Sequence, residues 1–315
     1  MPEKAKNVAI VGAGLVGAGW AVVFARAGHK VKVYDASEAT RLGLQAHLGA
    51  SLEALNRHGL VTETPAAINT RIQIVETLPQ AVADADYIQE SVFEQLELKQ
   101  AVSAEIEQAM ASHAVVGSST SGFSGSSFMA NLTRRTQFLV VHPVNPPQVI
   151  PVVEIVPTPW TNPQVVGEVR SFMQAIGQVP VVLNKEIDGF ILNRLQGALL
   201  DEAWKLFEEG YATAADIDAT VSEGLGLRWA FMGPFETIDL NAPRGIEDYA
   251  QRFSGMYQRL ASLRHEAGAW PKETIDRATA ECRSTLPVEG LTARRQWRDE
   301  RLMALIAHKK QQPKG

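Results

Sequence analysis

Between residues 7 and 35 the chain reads as strand, glycine turn, helix, strand and acid, a unit that leaves little freedom in what can follow it. Asn7-Val8-Ala9-Ile10-Val11 is a short apolar run ending at a glycine, the pattern of a buried parallel strand. Gly12-Ala13-Gly14-Leu15-Val16-Gly17 then opens a helical segment reaching about Gly28. Each glycine has a task. Gly12 permits the tight turn, Gly14 lets the backbone approach a pyrophosphate, and Gly17 lets the helix pack close to the strand. The phosphate sits at the helix N-terminus, where N–H groups and the dipole favour an anion. A second strand, Lys30-Val31-Lys32-Val33-Tyr34, ends in Asp35, 18 residues past Gly17, as a carboxylate on a ribose 2′-OH requires. Asp35 repels a 2′-phosphate, and Ala36-Ser37 offers no adjacent cation, so NAD is expected rather than NADP.

The pattern continues. Apolar runs at 72–75, 87–88 and 114–117 alternate with helical segments at 38–60, near 77–83 and at 97–111. This alternation implies an α/β fold with a doubly wound parallel sheet, whose ligands lie at the carboxyl ends of the strands. After the fourth strand comes Glu90-Ser91-Val92-Phe93-Glu94; after the fifth, Ser118-Ser119-Thr120-Ser121-Gly122. A Ser/Thr cluster of this kind most often serves as cap and turn.

Several classes are disfavoured. Net charge of −5 gives no reason to expect nucleic acid or an anionic membrane as partner. One cysteine, Cys282, cannot form an internal disulfide and fits a reducing, cytoplasmic setting. The seven histidines show no paired ligand spacing, so no metal is expected. Val8 to Ala25 carries no charge and resembles a signal peptide, but Gly12, Gly14, Gly17 and Gly19 interrupt it and a strand follows.

Past a helix at 163–177 and a strand at 178–183, a linker at 184–189 marks a change of character: to residue 309 the period is helical. At 315 residues two domains are expected, 1–187 around the sheet and 188–315 all-α. Asn193 lies in the first turns of a long amphipathic helix reaching about Glu209. Thr213 and Asp216 cap the next helix, expected to end at Gly224. Leu227 to Pro234 is an aromatic loop containing Arg228, and Ala293 to Lys310 a terminal helix with one packed face.

The chemistry points to 142–154. His142 follows the apolar run Phe138-Leu139-Val140-Val141 and is led out of it by a turn rich in proline, which suits neither helix nor central strand. Twelve residues on, Glu154 interrupts a second apolar run. Together they are the parts of a His–carboxylate general base; a capped histidine and a half-solvated glutamate are the other reading.

The set Gly12-Ala13-Gly14-Leu15-Val16-Gly17, Ser118-Ser119-Thr120-Ser121, His142-Pro143-Val144-Asn145-Pro146, Glu154 and Gly189-Phe190-Ile191-Leu192-Asn193-Arg194-Leu195 resembles the 3-hydroxyacyl-CoA dehydrogenase family in order and spacing, from residue 7 to past 240. The resemblance implies a Rossmann-type domain followed by an all-α one, and a homodimer through the latter. It implies His142 as base, Glu154 as its orienting partner, and Ser121 and Asn193 as hydrogen-bonding partners of the substrate oxygen. Glu94 and Lys99 match positions that contact the nicotinamide half of NAD, and Asn145 joins the substrate side. A narrower likeness, carried by His142 to Pro147, Ser222 to Arg228, Gly233 to Thr237 and Ala293 to Glu300, implies a small free hydroxy acid, L-gulonate first. The places where acyl-CoA members offer Ser and Lys to the CoA nucleotide hold Ala39 and Ala46 here, in keeping with such an acid. L-carnitine and short-chain 3-hydroxyacyl-CoA are the alternatives among enzymes, and a crystallin-like structural protein the alternative outside them. Arg228 is the candidate for the substrate carboxylate, with a helix-terminal surface arginine as the other reading.

Overall fold

The computed structural model describes residues 5–262 and 270–312. Eight strands among them form one sheet: β1 (Asn7–Val11), β2 (Lys30–Tyr34), β3 (Ile72–Ile74), β4 (Tyr87–Glu90), β5 (Val115–Ser118), β6 (Phe138–Pro143), β7 (Val152–Pro157) and β8 (Val179–Val182). Their spatial order is β3-β2-β1-β4-β5-β6-β7-β8. The first six pair in parallel, β7 lies antiparallel to β6, and β8 is parallel to β7. The order reverses at β1, between β2 and β4, and such a switch point opens a crevice at the strand ends.

Side chains alternate across each strand, so one apolar run feeds two cores. In β1, Val8 and Ile10 face one cluster, while Ala9 and Val11 face the other. The first cluster is covered by α1 (Leu15–Arg26), α2 (Glu38–Arg57) and the helix Pro163–Ala175. Trp20 stacks on Phe24 and Phe24 on Phe172, with ring centroids 5.3 and 5.6 Å apart. Burying each of these rings contributes about 1.5–3 kcal/mol, an upper figure against a compact unfolded chain. The helices Leu78–Val82 and Leu96–Ala109 cover the other face. The segment read above as signal-like is thus β1 and most of α1, whose residues from Gly17 to Ala25 are all buried.

The connection between β6 and β7 is residues 144–151. A parallel return needs a crossover of a dozen or more residues, so this short loop forces an antiparallel pair.

The chain divides into two compact units: residues up to Arg194 together with Arg295 onward, and Leu195–Arg294. This differs from the division expected above. The helix Leu291–Gln311 carries Leu302, Met303, Ile306 and Ala307 on one face, and that stripe packs on the first core cluster of the sheet unit, with Met303 buried. In the second unit Thr213 caps Ala214–Thr220 as anticipated, accepting from the Asp216 amide at 3.1 Å. The helix does not stop at Gly224. Val221–Leu225 widens into a π turn that continues into a short helix, Gly226–Trp229. A Cβ on Gly226 would lie 2.9 Å from the Val221 carbonyl oxygen, so glycine here admits the wide turn instead of ending it. Leu227 to Trp229, expected as loop, are therefore helical.

Candidate active site

At the end of β1, Gly12 adopts a φ of 95° and donates its N–H to the Tyr34 carbonyl at 2.8 Å. A side chain there would strike the Ser91 backbone at 2.6 Å, and one on Gly17 would stand 1.8 Å from the Gly12 oxygen. Both glycines are demanded by close approach. Gly14 is different. It is the N-cap of α1 with no side-chain acceptor, and a Cβ on it would meet nothing within 4 Å. The first-turn amides thus face open space, the cradle a pyrophosphate needs. Beside it Asp35 is held by main chain: Oδ2 accepts from Ala13 N–H at 2.7 Å and Oδ1 from Ser37 N–H at 2.9 Å. An ionised carboxylate has about four acceptor positions, so capacity remains for a ribose hydroxyl. Cradle and acid fit a dinucleotide with a free 2′-OH.

Antiparallel register sets His142 directly opposite Glu154. Nδ1 of the imidazole lies 2.8 Å from Oε2, and both residues are buried, at 5% and 1% exposure. The other carboxylate oxygen, Oε1, accepts from the Ile191 and Leu192 amides at 2.8 and 3.0 Å, at the start of the helix Leu192–Glu208. Burial alone pushes the Glu154 carboxyl up. The hydrogen bonds from His142, Leu192 and Ile191 outweigh it and hold the group below its usual value. Glu154 is therefore ionised at neutral pH. A carboxylate only accepts, so Nδ1 carries the hydrogen and the lone pair of the neutral ring is on Nε2.

The turn that delivers these amides was not foreseen. Gly189 and Phe190 both have positive φ, 73° and 51°. For phenylalanine this costs on the order of 1–3 kcal/mol and persists only where the surroundings enforce it. Phe190 is fully buried with Val140, Val156 and Leu183, its ring centroid 5.4 Å from that of His142.

Ser121 stands exposed on the loop after β5, and Glu94 fixes its backbone. Oε1 of Glu94 accepts from Thr120 Oγ1 at 2.6 Å and from the Ser121 and Gly122 amides at 2.9 and 3.1 Å. Asn193 Nδ2 donates to the Ser121 carbonyl at 2.5 Å. Burial raises the Glu94 carboxyl, but the Thr120 hydroxyl, the Lys99 charge and the two amides pull it below its usual value. Lys99, matched above to a position that contacts the nicotinamide half of NAD, is buried. It is 1% exposed, with Nζ 3.0 Å from Glu90 Oε1 and 3.4 Å from Glu94 Oε2. Ser118 Oγ donates to the second oxygen of Glu90, itself buried. Lys99 reaches the site through Glu94, and Glu90 and Ser118 belong to the machinery without having been singled out. An acid closing the buried strand β4, nine residues before a lysine, was the available signal.

One line of contacts therefore joins Glu90, Lys99, Glu94, the Ser121 backbone and Asn193, whose neighbours Ile191 and Leu192 hold Glu154 and through it His142. Asn145 is exposed, three residues past His142. Arg228 is exposed on the short helix Gly226–Trp229 of the second unit. Among the described residues no group of three or more His, Cys, Asp or Glu could hold a metal ion, and no helix is long and apolar enough to cross a membrane.

Carboxyls depressed on folding stabilise fully above their unfolded value, about 4.3 for glutamate, and lose that contribution as pH falls through the folded one. The urea midpoint of the protein is thus expected to fall below about pH 4. The fall should be smaller in Glu94→Gln and Glu154→Gln. Equal acid sensitivity in wild type and variants would contradict the depressed values.

Residues 7–187 match the family model described as 3-hydroxyacyl-CoA dehydrogenase, NAD binding domain, and residues 189–278 its C-terminal domain. Lambda-crystallin of Oryctolagus cuniculus is 39% identical over 311 residues, covering 98% of this chain and 97% of that protein. L-carnitine dehydrogenase of Streptomyces coelicolor is 35% identical over 89% of this chain and 87% of its own length. A solved 5-formyl-3-hydroxy-2-methylpyridine 4-carboxylic acid 5-dehydrogenase, an NAD+-dependent dismutase, superimposes with a TM-score of 0.86 at 26% identity, over 98% of this chain and all of that one. A 3-hydroxyacyl-CoA dehydrogenase of Archaeoglobus fulgidus follows at 0.68 and 29%, over 86% and 87%. With a dinucleotide cradle, an acid for the ribose and a buried His–Glu dyad on this fold, the chain belongs to the 3-hydroxyacyl-CoA dehydrogenase family and is an NAD-dependent oxidoreductase acting on a CH–OH group.

Proposed function

We propose that the protein oxidises the 3-hydroxyl of a small free hydroxy acid, L-gulonate before others, to the 3-keto acid. The observation that carries the reaction type is the His142–Glu154 pair, buried, in register and tautomerically fixed. Neutral His142 takes the hydroxyl proton on Nε2, and Glu154 stabilises the imidazolium that results. NAD, when bound, supplies the hydride acceptor. Ser121 Oγ, Asn145 and Asn193 hydrogen-bond the substrate's oxygens.

Two features favour a small acid over an acyl-CoA. Ala39 and Ala46 are exposed on α2 where a nucleotide phosphate would need cations. The likeness to lambda-crystallin also runs over 98% of the chain, beyond residue 278 where the family model ends. Carnitine is the second reading, because carnitine dehydrogenases match over most of the chain. We also propose a homodimer through the helical unit, where Leu227, Phe231, Phe235 and Leu240 are exposed. Light scattering on the eluting protein reads that directly, and a monomer at working concentration would exclude it.

Reduction of NAD by the purified protein, followed by NADH absorbance at mildly alkaline pH, tests the substrate. Turnover on L-gulonate well above that on L-carnitine and 3-hydroxybutyryl-CoA is expected. Preference for the CoA ester would overturn the small-acid reading, and preference for carnitine would replace gulonate within it.

A further inference from the structure

The acid that reads the ribose has a cationic neighbour that its local sequence does not show. Arg41 lies one turn into α2, and its side chain turns back toward the end of β2. Its Nη1 donates to the Asp35 carbonyl at 2.6 Å and to the Ala36 carbonyl at 3.3 Å. Those two bonds occupy one nitrogen of a guanidinium that has five N–H donors in a planar fork. Among the described residues, Nε and Nη2 of Arg41 have no protein acceptor. The Asp35 carboxylate makes no bond to the guanidinium; its oxygens accept from the Ala13 and Ser37 amides. Acid and guanidinium thus stand at one strand end, each held by main chain and not by the other. The first turn of α2, capped by Ser37, adds dipole favouring an anion; Glu38, exposed in that turn, opposes it.

A carboxylate at this place accepts from a ribose 2′-OH, and a nearby arginine receives a 2′-phosphate. The protein holds both. We propose that Arg41 is a latent 2′-phosphate site, and that the charge of Asp35 alone keeps the cofactor cleft specific for NAD. The bond to two carbonyls fixes the guanidinium at the ribose end of the cleft, and its remaining donors suit the two-pronged grip of arginine on phosphate. Like charge on Asp35 excludes that phosphate. This rests on the cofactor cleft and not on the substrate assignment.

The test uses the full chain and adenine fragments, 2′,5′-ADP and 5′-ADP, in calorimetric titrations that need no substrate. Asp35→Asn removes the charge but keeps an oxygen for a main-chain amide, so the turn can close. In that variant 2′,5′-ADP is expected to bind about tenfold or more tighter than in wild type, the scale of a hydrogen bond to a charged group. Asp35→Asn/Arg41→Gln should lose most of that gain while 5′-ADP binding stays within about twofold of the single variant. NADP turnover should follow the same order. A double variant that keeps the gain would overturn the role of Arg41, and no gain in Asp35→Asn would overturn that of Asp35. Circular dichroism of each variant checks that the sheet is intact. Because no hydroxy acid enters the titration, failure on L-gulonate leaves this result unaffected.

Discussion

Replacing His142 with alanine is expected to lower kcat by about 10²–10⁴, the range that a positioned general base supplies. NAD affinity should survive, because the pyrophosphate cradle at Gly14 and the ribose acid Asp35 lie just past the ends of β1 and β2, which are separated from β6 by β4 and β5. The size of the effect follows from how the base is prepared. Its tautomer is set by an ionised carboxylate 2.8 Å away, and that carboxylate is held on its other oxygen by two amides. The ring needs no rearrangement to receive a proton on Nε2. Glu154→Gln should cost less than His142→Ala, since an amide can still accept from Nδ1–H but does not stabilise the imidazolium. Stopped-flow turnover and NADH titration on both variants measure these quantities. Near-normal turnover in His142→Ala would remove the histidine from the mechanism.

The second large effect is on stability. Lys99→Met leaves Glu90 buried with its cation gone, and removing one partner of a buried pair typically costs about 3–5 kcal/mol. Glu90 and Lys99 are each 1% exposed, so water cannot replace the lost charge. The Ser118 hydroxyl and the Val92 amide still donate to Glu90, which places the expected loss toward the lower end of that range. Glu94 also loses its ionic contact, so the 120–122 loop should loosen and the KM for substrate rise. Urea unfolding gives the first quantity and steady-state kinetics the second. The double variant Glu90→Gln/Lys99→Met should recover part of the stability, since no bare charge then remains. If Lys99→Met unfolds like the wild type, the pair is not a structural anchor.

Much of the fold and site was legible in order along the chain. The glycines at 12, 14 and 17 act within one turn of backbone, and the acid at 35 ends the strand that follows. His142 and Glu154 could be named as candidates because one ends an apolar run and the other, twelve residues on, interrupts the next. Other parts were hidden for one physical reason: they depend on partners brought together by sheet register and not by spacing. The resemblance matches Lys99 to a position that contacts the nicotinamide half of NAD. Helix periodicity places it on a face, but only the packing against β4 shows that this face is closed by Glu90. Arg41 was passed over because Ala36 and Ser37 are its apparent context, whereas the helix returns it to the strand end from six residues on. Leu227 to Trp229 looked like loop because two glycines outweigh local propensity there; the π turn, which needs Gly226, carries the helix through them instead.

Sequence by itself determined what short-range sterics and hydrophobic period control: strands of period two feeding two cores, helices between them, a glycine turn for a pyrophosphate, and a carboxylate for the ribose. Tertiary structure decided what contacts across 12 to 243 residues control. The facing of His142 and Glu154, the amides of Ile191 and Leu192 on that carboxylate, the clasp of Glu94 on the Ser121 loop and the return of the last helix to the sheet all belong here. Such contacts form only when strands have chosen a register and faces have chosen a partner, and that choice is made by the buried surface of the whole unit.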